Sequence, residues 1–146
     1  MSQILLIEPD AVLAEAYIKA FTHQGHETRL TVSAQDGVFK VDEQLPDVVI
    51  VELQLVAHSG IEFLYELRSY AEWQAIPVII HSCIPPAEFS DSMKLLRDRL
   101  GVATYLYKPQ TSLRMLLRAI RDSVQMPSLA AASTAGLARH PVPALP

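Results

Sequence analysis

The chain has 146 residues, of which half are hydrophobic and 19% are charged, and its formal net charge is −4. This balance predicts one globular domain with its own core and no general affinity for nucleic acid, and a single cysteine, Cys83, excludes an internal disulfide. The sequence shows neither a signal-peptide pattern nor an apolar run of membrane-spanning length, so we expect a cytoplasmic protein without membrane contact.

Four short apolar runs predict buried strands. They lie at residues 4–7, 48–51 and 78–80, with a weaker run at 105–107. The first three are continuous rather than alternating, which is typical of parallel strands covered by helices on both faces. A more alternating run at 27–32 predicts an edge strand.

Helical patterns fill the segments between these strands, and each begins or ends at a recognisable signal. The signals are Gly25 after the first helix, Ser33 before the second, the capping-box spacing of Ser59 and Glu62 before the third, Pro86 and Gly101 around the fourth, and an apolar stripe at Leu113, Leu116, Leu117, Ile120 and Val124 on the fifth. Leu64, Leu67 and Trp73 are expected on the buried side of the third.

Strand and helix alternate five times, which predicts a three-layer, doubly wound α/β fold with right-handed crossovers. Such folds carry their sites at the carboxyl ends of the strands. Residues 1–125 form the predicted domain. Residues 126–146 are rich in Pro, Ala and Ser, and we interpret them as a flexible tail or the stub of a linker.

The residues that follow the strands resemble those of CheY-like receiver domains of response regulators, over residues 3–124. The family carries two adjacent acids after its first strand, an acceptor aspartate after the third, a switch Ser or Thr after the fourth, and a switch aromatic and a Lys-Pro pair at the fifth. The corresponding residues here are Glu8, Pro9 and Asp10, then Glu52, Ser82 and Tyr105, and finally Lys108 and Pro109.

This resemblance implies a flavodoxin-like (βα)5 sandwich with strand order 2-1-3-4-5. It also implies a signalling domain of a two-component or phosphorelay system rather than an enzyme. The implied partners are a histidine kinase, a downstream effector or a linked output domain. A cis peptide before Pro109, as in the family, is a further expectation.

Two substitutions depart from the family's chemistry. An aspartate there attacks the phosphoryl group, and Mg²⁺ offsets the charge through carboxylate oxygens. Here Pro9 replaces one of the two adjacent acids. Glu52 is one methylene longer than the aspartate of the family, and a displacement of about 1 Å of a reacting atom slows a reaction strongly. We therefore expect phosphotransfer to be crippled or absent. We expect no cofactor, and Mg²⁺ binding is possible but weakened, with only Glu8, Glu52 and Gln54 as weak ligand candidates.

Three interpretations of Glu52 remain open. Its carboxylate approaches Lys108 without phosphate and mimics the active state, or it is an inert relic whose charge Lys108 balances, or the site still accepts phosphate weakly. Asp10 is either a displaced metal ligand or, as we favour, a helix N-cap. We expect Cys83 to be a small packed side chain rather than a reactive thiol.

His58 and His81 flank the predicted cleft, but two histidines without further ligands make a poor metal signature. We interpret both as incidental, with His81 at the strand end.

Basic residues dominate the segment from 94 to 121. They are Lys94, Arg97, Arg99, Lys108, Arg114, Arg118 and Arg121. The last three share one helix face, which is either a solvated surface or a docking face for partners or a second copy, as the family uses its fourth and fifth helices. A nucleic-acid role is disfavoured because no recognition helix or aromatic platform accompanies the charges.

The leading hypothesis is a pseudo-receiver that acts through protein contacts without phosphorylation. The runner-up is a conventional Mg²⁺-dependent phosphoacceptor. A third class, a flavodoxin-like enzyme or cofactor binder, is disfavoured because the loops after the strands lack a glycine-rich phosphate cradle.

Overall fold

The computed structural model describes residues 2–125, so the predicted tail at 126–146 lies outside the described residues. Five strands and five helices alternate along this part of the chain. Their bounds are β1 Gln3–Ile7, α1 Ala11–His23, β2 Glu27–Thr31, α2 Ala34–Glu43, β3 Val48–Val51, α3 Gly60–Ser69, β4 Val78–Ser82, α4 Met93–Asp98, β5 Val102–Tyr107 and α5 Leu113–Gln125.

The strands form one parallel sheet in the order β2-β1-β3-β4-β5, which confirms the predicted flavodoxin-like fold. The continuous aliphatic runs of β1, β3 and β4 are fully buried, while the more polar β2 lies at an edge as predicted. In the central pair, Ile7 lies opposite Val51. Because of this register, the residues that follow the two strands, Glu8 and Glu52, leave the sheet side by side.

Two apolar layers cover the sheet. One contains Phe21 of α1 and Ile120 of α5 against strand residues such as Ile50. The other contains residues of α2, α3 and α4, among them Phe63 and Leu67. Burying each such side chain contributes about 2 kcal/mol, so the layers fix the positions of the strand ends at which the polar residues cluster.

Side-chain caps begin three helices as the sequence predicts. Asp10 Oδ1 accepts hydrogen bonds from the backbone N–H groups of Val12 at 3.0 Å and Leu13 at 3.1 Å. Ser33 and Ser59 each accept from the third residue of the helix that follows, at 3.1 Å. Asp10 is therefore an N-cap, and the prediction favoured for it is confirmed.

Two helix predictions are wrong. Pro86 begins a short 3-10 turn rather than the fourth helix, and α4 has only six residues, Met93–Asp98. Between them lies Ser90-Asp91-Ser92, whose short polar side chains compete with the helical backbone. Leu113 is 44% exposed, because the first turn of α5 precedes the buried part of the helix.

Arg68 of α3 is a buried connector that the sequence patterns did not reveal. Its guanidinium donates to the carbonyl oxygens of Leu100 at 2.9 Å and Ile76 at 2.7 Å, and also to those of Trp73, Gln74 and Gly101. Burial lowers its pKa from 12.5 to about 10. The side chain thereby ties the loops that enter β4 and β5 to α3. In the part of the chain that the structure describes, every helix is too short or too polar to span a membrane.

His81 on β4 is a buried titratable group close to the polar cluster. Its ring contacts Tyr17 edge-on, with centroids 5.2 Å apart, and its Nδ1 atom has no hydrogen-bond partner among the residues that the structure describes. Burial, with a smaller contribution from the charge of Lys108, lowers its pKa from 6.5 to about 4. The ring therefore stays neutral in the folded protein near neutral pH.

This burial predicts a stability loss in mild acid. The unfolded chain protonates His81 near its ordinary pKa of 6.5, whereas the folded chain does so only near 4, so the free energy of unfolding falls as the pH drops between these values. Urea unfolding at about pH 7 and about pH 5 should show about 2 kcal/mol more loss for the wild type than for His81→Phe. Exposed His23 is the matched control, and an equal loss in His81→Phe and His23→Phe would contradict the account.

Candidate functional site

A cluster of three charged side chains lies at the carboxyl ends of the central strands. Glu8 follows β1, Glu52 follows β3, and Lys108 follows the edge strand β5. The Lys108 ammonium lies 2.6 Å from Glu8 Oε1 and 2.9 Å from Glu52 Oε1. Because the two carboxylates are almost fully buried and the lysine side chain is only 9% exposed, the ammonium bridges them largely out of water.

The Glu52 carboxylate accepts hydrogen bonds through both of its oxygens. Besides Lys108, Oε1 accepts from the backbone N–H of Cys83 at 3.3 Å. Oε2 accepts from the backbone N–H groups of Leu53 at 2.6 Å and Gln54 at 3.2 Å. Four donors from three elements therefore converge on one side chain, and such convergence favours its ionised form.

The loop after β3 is held close beneath Glu52. Gly60 opens α3, and its N–H donates to Leu53 O at 2.9 Å. A Cβ atom at Gly60 would lie 2.6 Å from the Glu52 carbonyl oxygen, so only glycine permits this approach. The close contact fixes the backbone from which the Glu52 side chain turns toward Lys108.

Opposing effects set the pKa values of the cluster. Burial alone would raise the pKa of Glu52, but the neighbouring Ser82 hydroxyl, the hydrogen bonds from Lys108 and the Gln54 backbone, and the positive charge of Lys108 hold it below its ordinary value of 4.5. Burial alone would lower the pKa of Lys108, but its hydrogen bonds to Glu8 and Glu52 raise it above 10.5. Both groups are therefore charged at neutral pH.

Ser82 and Tyr105 organise the segment that follows β4. The buried Ser82 hydroxyl accepts from the Ile84 N–H at 3.1 Å. The Tyr105 hydroxyl donates to the Ile84 carbonyl oxygen at 2.6 Å, and its ring lies 6.0 Å from that of Phe89. Burial raises the pKa of Tyr105 to about 12. Both side chains thus hold the loop at Ile84. The preceding residue of this loop, Cys83, donates its backbone N–H to Glu52.

The cluster does not fit the Mg²⁺ ion that the family resemblance implies. Such an ion needs several oxygen ligands in near-octahedral geometry. The ammonium of Lys108 already lies between the two carboxylates, Glu8 Oε2 accepts from the Asp10 N–H at 3.1 Å, and the Asp10 carboxylate caps α1. Gln54, the third weak candidate, is exposed. Within residues 2–125, no group of three or more His, Cys, Asp or Glu side chains is arranged to hold a metal ion.

Two expectations about neighbouring residues are wrong. The described residues contain no cis peptide, so the bond before Pro109 is trans. Pro109 lies in a 3-10 turn, Lys108–Gln110, and the carboxylates hold the lysine instead. Cys83 is exposed rather than packed, because only its backbone N–H faces the cluster.

The two histidines have different surroundings, and neither joins the charged cluster. His58 is exposed and contacts Glu62 at 2.9 Å, whereas His81 is buried at the end of β4.

The late basic residues do not form one face. Arg97 of α4 lines a groove beside β5. Arg114, Arg118 and Arg121 of α5 instead face the end of α1. The cause is the fold itself, since α4 and α5 cover opposite sides of the sheet.

Replacing Lys108 tests the ion cluster. Lys108→Met would leave two buried carboxylates facing each other, and losing one partner of such a buried cluster costs about 3–5 kcal/mol. We expect this loss in urea unfolding at neutral pH, with less than about 1 kcal/mol for the exposed control Lys19→Met.

The pH dependence of the free energy of unfolding should also change sign in Lys108→Met. In the wild type the contribution of Glu52 is present above its ordinary pKa and is lost as the pH falls, because the folded-state pKa is lowered. In Lys108→Met, Glu52 loses its counter-charge while it stays buried beside Glu8, so we expect its pKa to be raised and the variant to gain stability as the pH falls through that pKa. A neutral-pH loss as small as that of the control would contradict the geometry.

Comparison with known proteins shows the family of this chain. Residues 4–121 match the family model of the response regulator receiver domain. The chain is 30% identical over 124 residues to the KDP operon transcriptional regulatory protein KdpE of Escherichia coli, with 81% of this chain and 52% of that protein covered. It is 27% identical over 109 residues to PilH of Pseudomonas aeruginosa, with 75% of this chain and 87% of that protein covered.

Solved structures share the fold at low identity. A sensor protein from Polaromonas sp. JS666 has a TM-score of 0.76 at 19% identity, over 85% of this chain and 96% of that one. A CheY-like receiver domain from Methanospirillum hungatei has a TM-score of 0.75 at 18% identity, over 86% and 94%. The chain spans about half the length of KdpE. It belongs to the receiver-domain family of two-component response regulators.

Proposed function

We propose that this receiver domain signals without phosphorylation of an acidic side chain and acts through protein contacts. The proposal rests on one observation, that hydrogen-bond donors already occupy both oxygens of the Glu52 carboxylate. Lys108, together with the backbone N–H groups of Leu53, Gln54 and Cys83, donates to it. Donors of this kind would otherwise stabilise a transferred phosphoryl group.

The geometry supports a mimic rather than an inert relic. An ionised carboxylate, one methylene longer than aspartate, extends toward the ammonium and the strand-end N–H groups and brings its own negative charge to them. A relic with only a balanced charge would not need hydrogen bonds to both oxygens. Glu52 therefore supplies in the resting protein the contacts that phosphorylation would otherwise create.

The same contacts disfavour attack on a phosphoryl donor. A nucleophilic oxygen must present a free lone pair to phosphorus, with a cation nearby to offset the charge of the incoming group. Both oxygens of Glu52 are engaged, and Lys108 is shared with Glu8. The runner-up, a conventional Mg²⁺-dependent receiver, rests on the presence of Lys108 and Ser82 and requires both ion pairs to open.

The partners follow from the family and stay proposals. KdpE is named a transcriptional regulatory protein, and this chain spans only 52% of its length. A linked output domain, a separate effector or a histidine kinase would each suit a receiver. The segment after β4 is the surface most directly coupled to Glu52, since Tyr105 and Ser82 both bind it at Ile84. A cytoplasmic location, expected from the sequence, is part of the same proposal.

Intact-protein mass after incubation with acetyl phosphate and Mg²⁺ tests the proposal. The wild type should gain no phosphoryl group, because Glu52 is bonded and Pro9 supplies no metal ligand. The double variant Pro9→Asp/Glu52→Asp restores both family residues and should gain one. Glu52→Gln serves as the unreactive control. A stoichiometric gain of one phosphoryl group by the wild type, absent in Glu52→Gln, would overturn the proposal.

A further inference from the structure

A basic groove lies between the end of α1 and the outer face of α5. Its volume is about 490 Å³, larger than the groove of about 200 Å³ between α4 and β5. Gln24 and His26 form one wall, and Arg114, Arg118 and Arg121 form the other. The Gln24 wall lies at the carboxyl end of α1, about 20 Å from the first turn of that helix, because an α-helix rises 1.5 Å per residue.

The charge of the groove is concentrated and unbalanced. Within residues 2–125, no acidic residue lines the groove, although the chain as a whole has a net charge of −4. Among the described ion pairs, the three arginines share only one, the 4.0 Å contact of Arg121 with the adjacent, exposed Asp122. The guanidinium groups of Arg114 and Arg118 are thus available, and Arg presents a planar fork that suits carboxylate oxygens.

The spacing of the arginines indicates the shape of the ligand. They lie four and three residues apart on α5, so they extend about 10 Å along the helix. A small anion would reach one or two of them. Alternate side chains of an extended peptide lie about 7 Å apart on one face, so two or three carboxylates in such a segment can meet the row.

The remaining wall residues favour a peptide over a nucleic acid. Gln24 and Gln125 offer side-chain amides that pair with a peptide backbone, and Leu117 adds an apolar surface between the arginines. Among the described residues, no Phe, Tyr or Trp lines the groove, whereas single-stranded nucleic acids are held mainly by stacking on such large rings. A symmetric dimer across this face would set arginines against arginines, which like-charge repulsion disfavours.

We propose that the groove between α1 and α5, with Arg114, Arg118 and Arg121, binds an extended acidic segment of a partner protein. This inference goes beyond the proposed function, because the groove and the Glu52 cluster share no residue. It names the chemistry of one partner of the domain, whatever the state of Glu52.

Fluorescence anisotropy with the full chain tests the groove. The probe is a labelled peptide of about eight residues, long enough to span the arginines, with Glu alternating with Leu and Ser; the comparison probe carries Gln in place of Glu. We expect only the Glu peptide to bind, more weakly as salt is added. Arg118→Glu should weaken binding by about tenfold or more, whereas Arg99→Glu, an equal charge change at an exposed residue outside the groove, should not.

Three kinds of outcome would overturn the inference. One is a failure of the peptide test: the Glu peptide binds equally to Arg118→Glu and Arg99→Glu, or it does not bind at all. Another is tighter binding of a single-stranded oligonucleotide that Arg118→Glu abolishes, which would assign the groove to nucleic acid. The third is self-association in sedimentation that Arg118→Glu removes, which would assign it to a second copy. Circular dichroism of both variants should match the wild type, because both arginines are exposed.

Discussion

The site depends on one interaction, the Lys108 ammonium held between the buried carboxylates of Glu8 and Glu52. Buried charges are tolerated only when they are paired and hydrogen-bonded, so this cluster requires all three residues at once. They come from the ends of three strands far apart in the sequence, and only the observed strand order brings them together. The aliphatic layers on both faces of the sheet provide the rigid frame on which 2.6 and 2.9 Å contacts are maintained.

The cluster connects the local chemistry to the segment after β4, the surface at which we propose that partners bind. Glu52 draws the Cys83 N–H toward it, Ser82 and Tyr105 bind the next residue, Ile84, and Tyr105 packs near Phe89. In the proposed account a carboxylate provides what a transient phosphoryl group provides elsewhere, so the segment after β4 is held without a chemical signal. Regulation would then come from which partners are present, and the basic groove on α5 would be a second, separate place for a partner to bind.

The sequence predicts the fold and the membership of the cluster, and it misses what depends on the backbone. Continuous apolar runs and caps such as Asp10 are local signals, so the strands, most helices and the strand-end positions follow from them. The N–H groups of Leu53, Gln54 and Cys83 are donors that every such residue carries, so no residue pattern announces that they converge on Glu52. The buried position of Arg68 depends on packing between distant elements, and so does the separation of the late arginines onto two faces. The short length of α4 depends on weak local preferences of its residues.

In our proposal, Glu52 already satisfies the hydrogen-bond donors of the site. Amide NMR spectra recorded with and without Mg²⁺ and beryllofluoride, an analogue of a carboxylate-bound phosphoryl group, test it most directly. We expect the amide signals of Gln54 and Cys83 to stay at their resting positions, because their N–H groups remain hydrogen-bonded to the Glu52 carboxylate. Saturable shifts of these two signals, with the segment around Ile84 following, would show that the site opens to a phosphoryl analogue and would contradict the account.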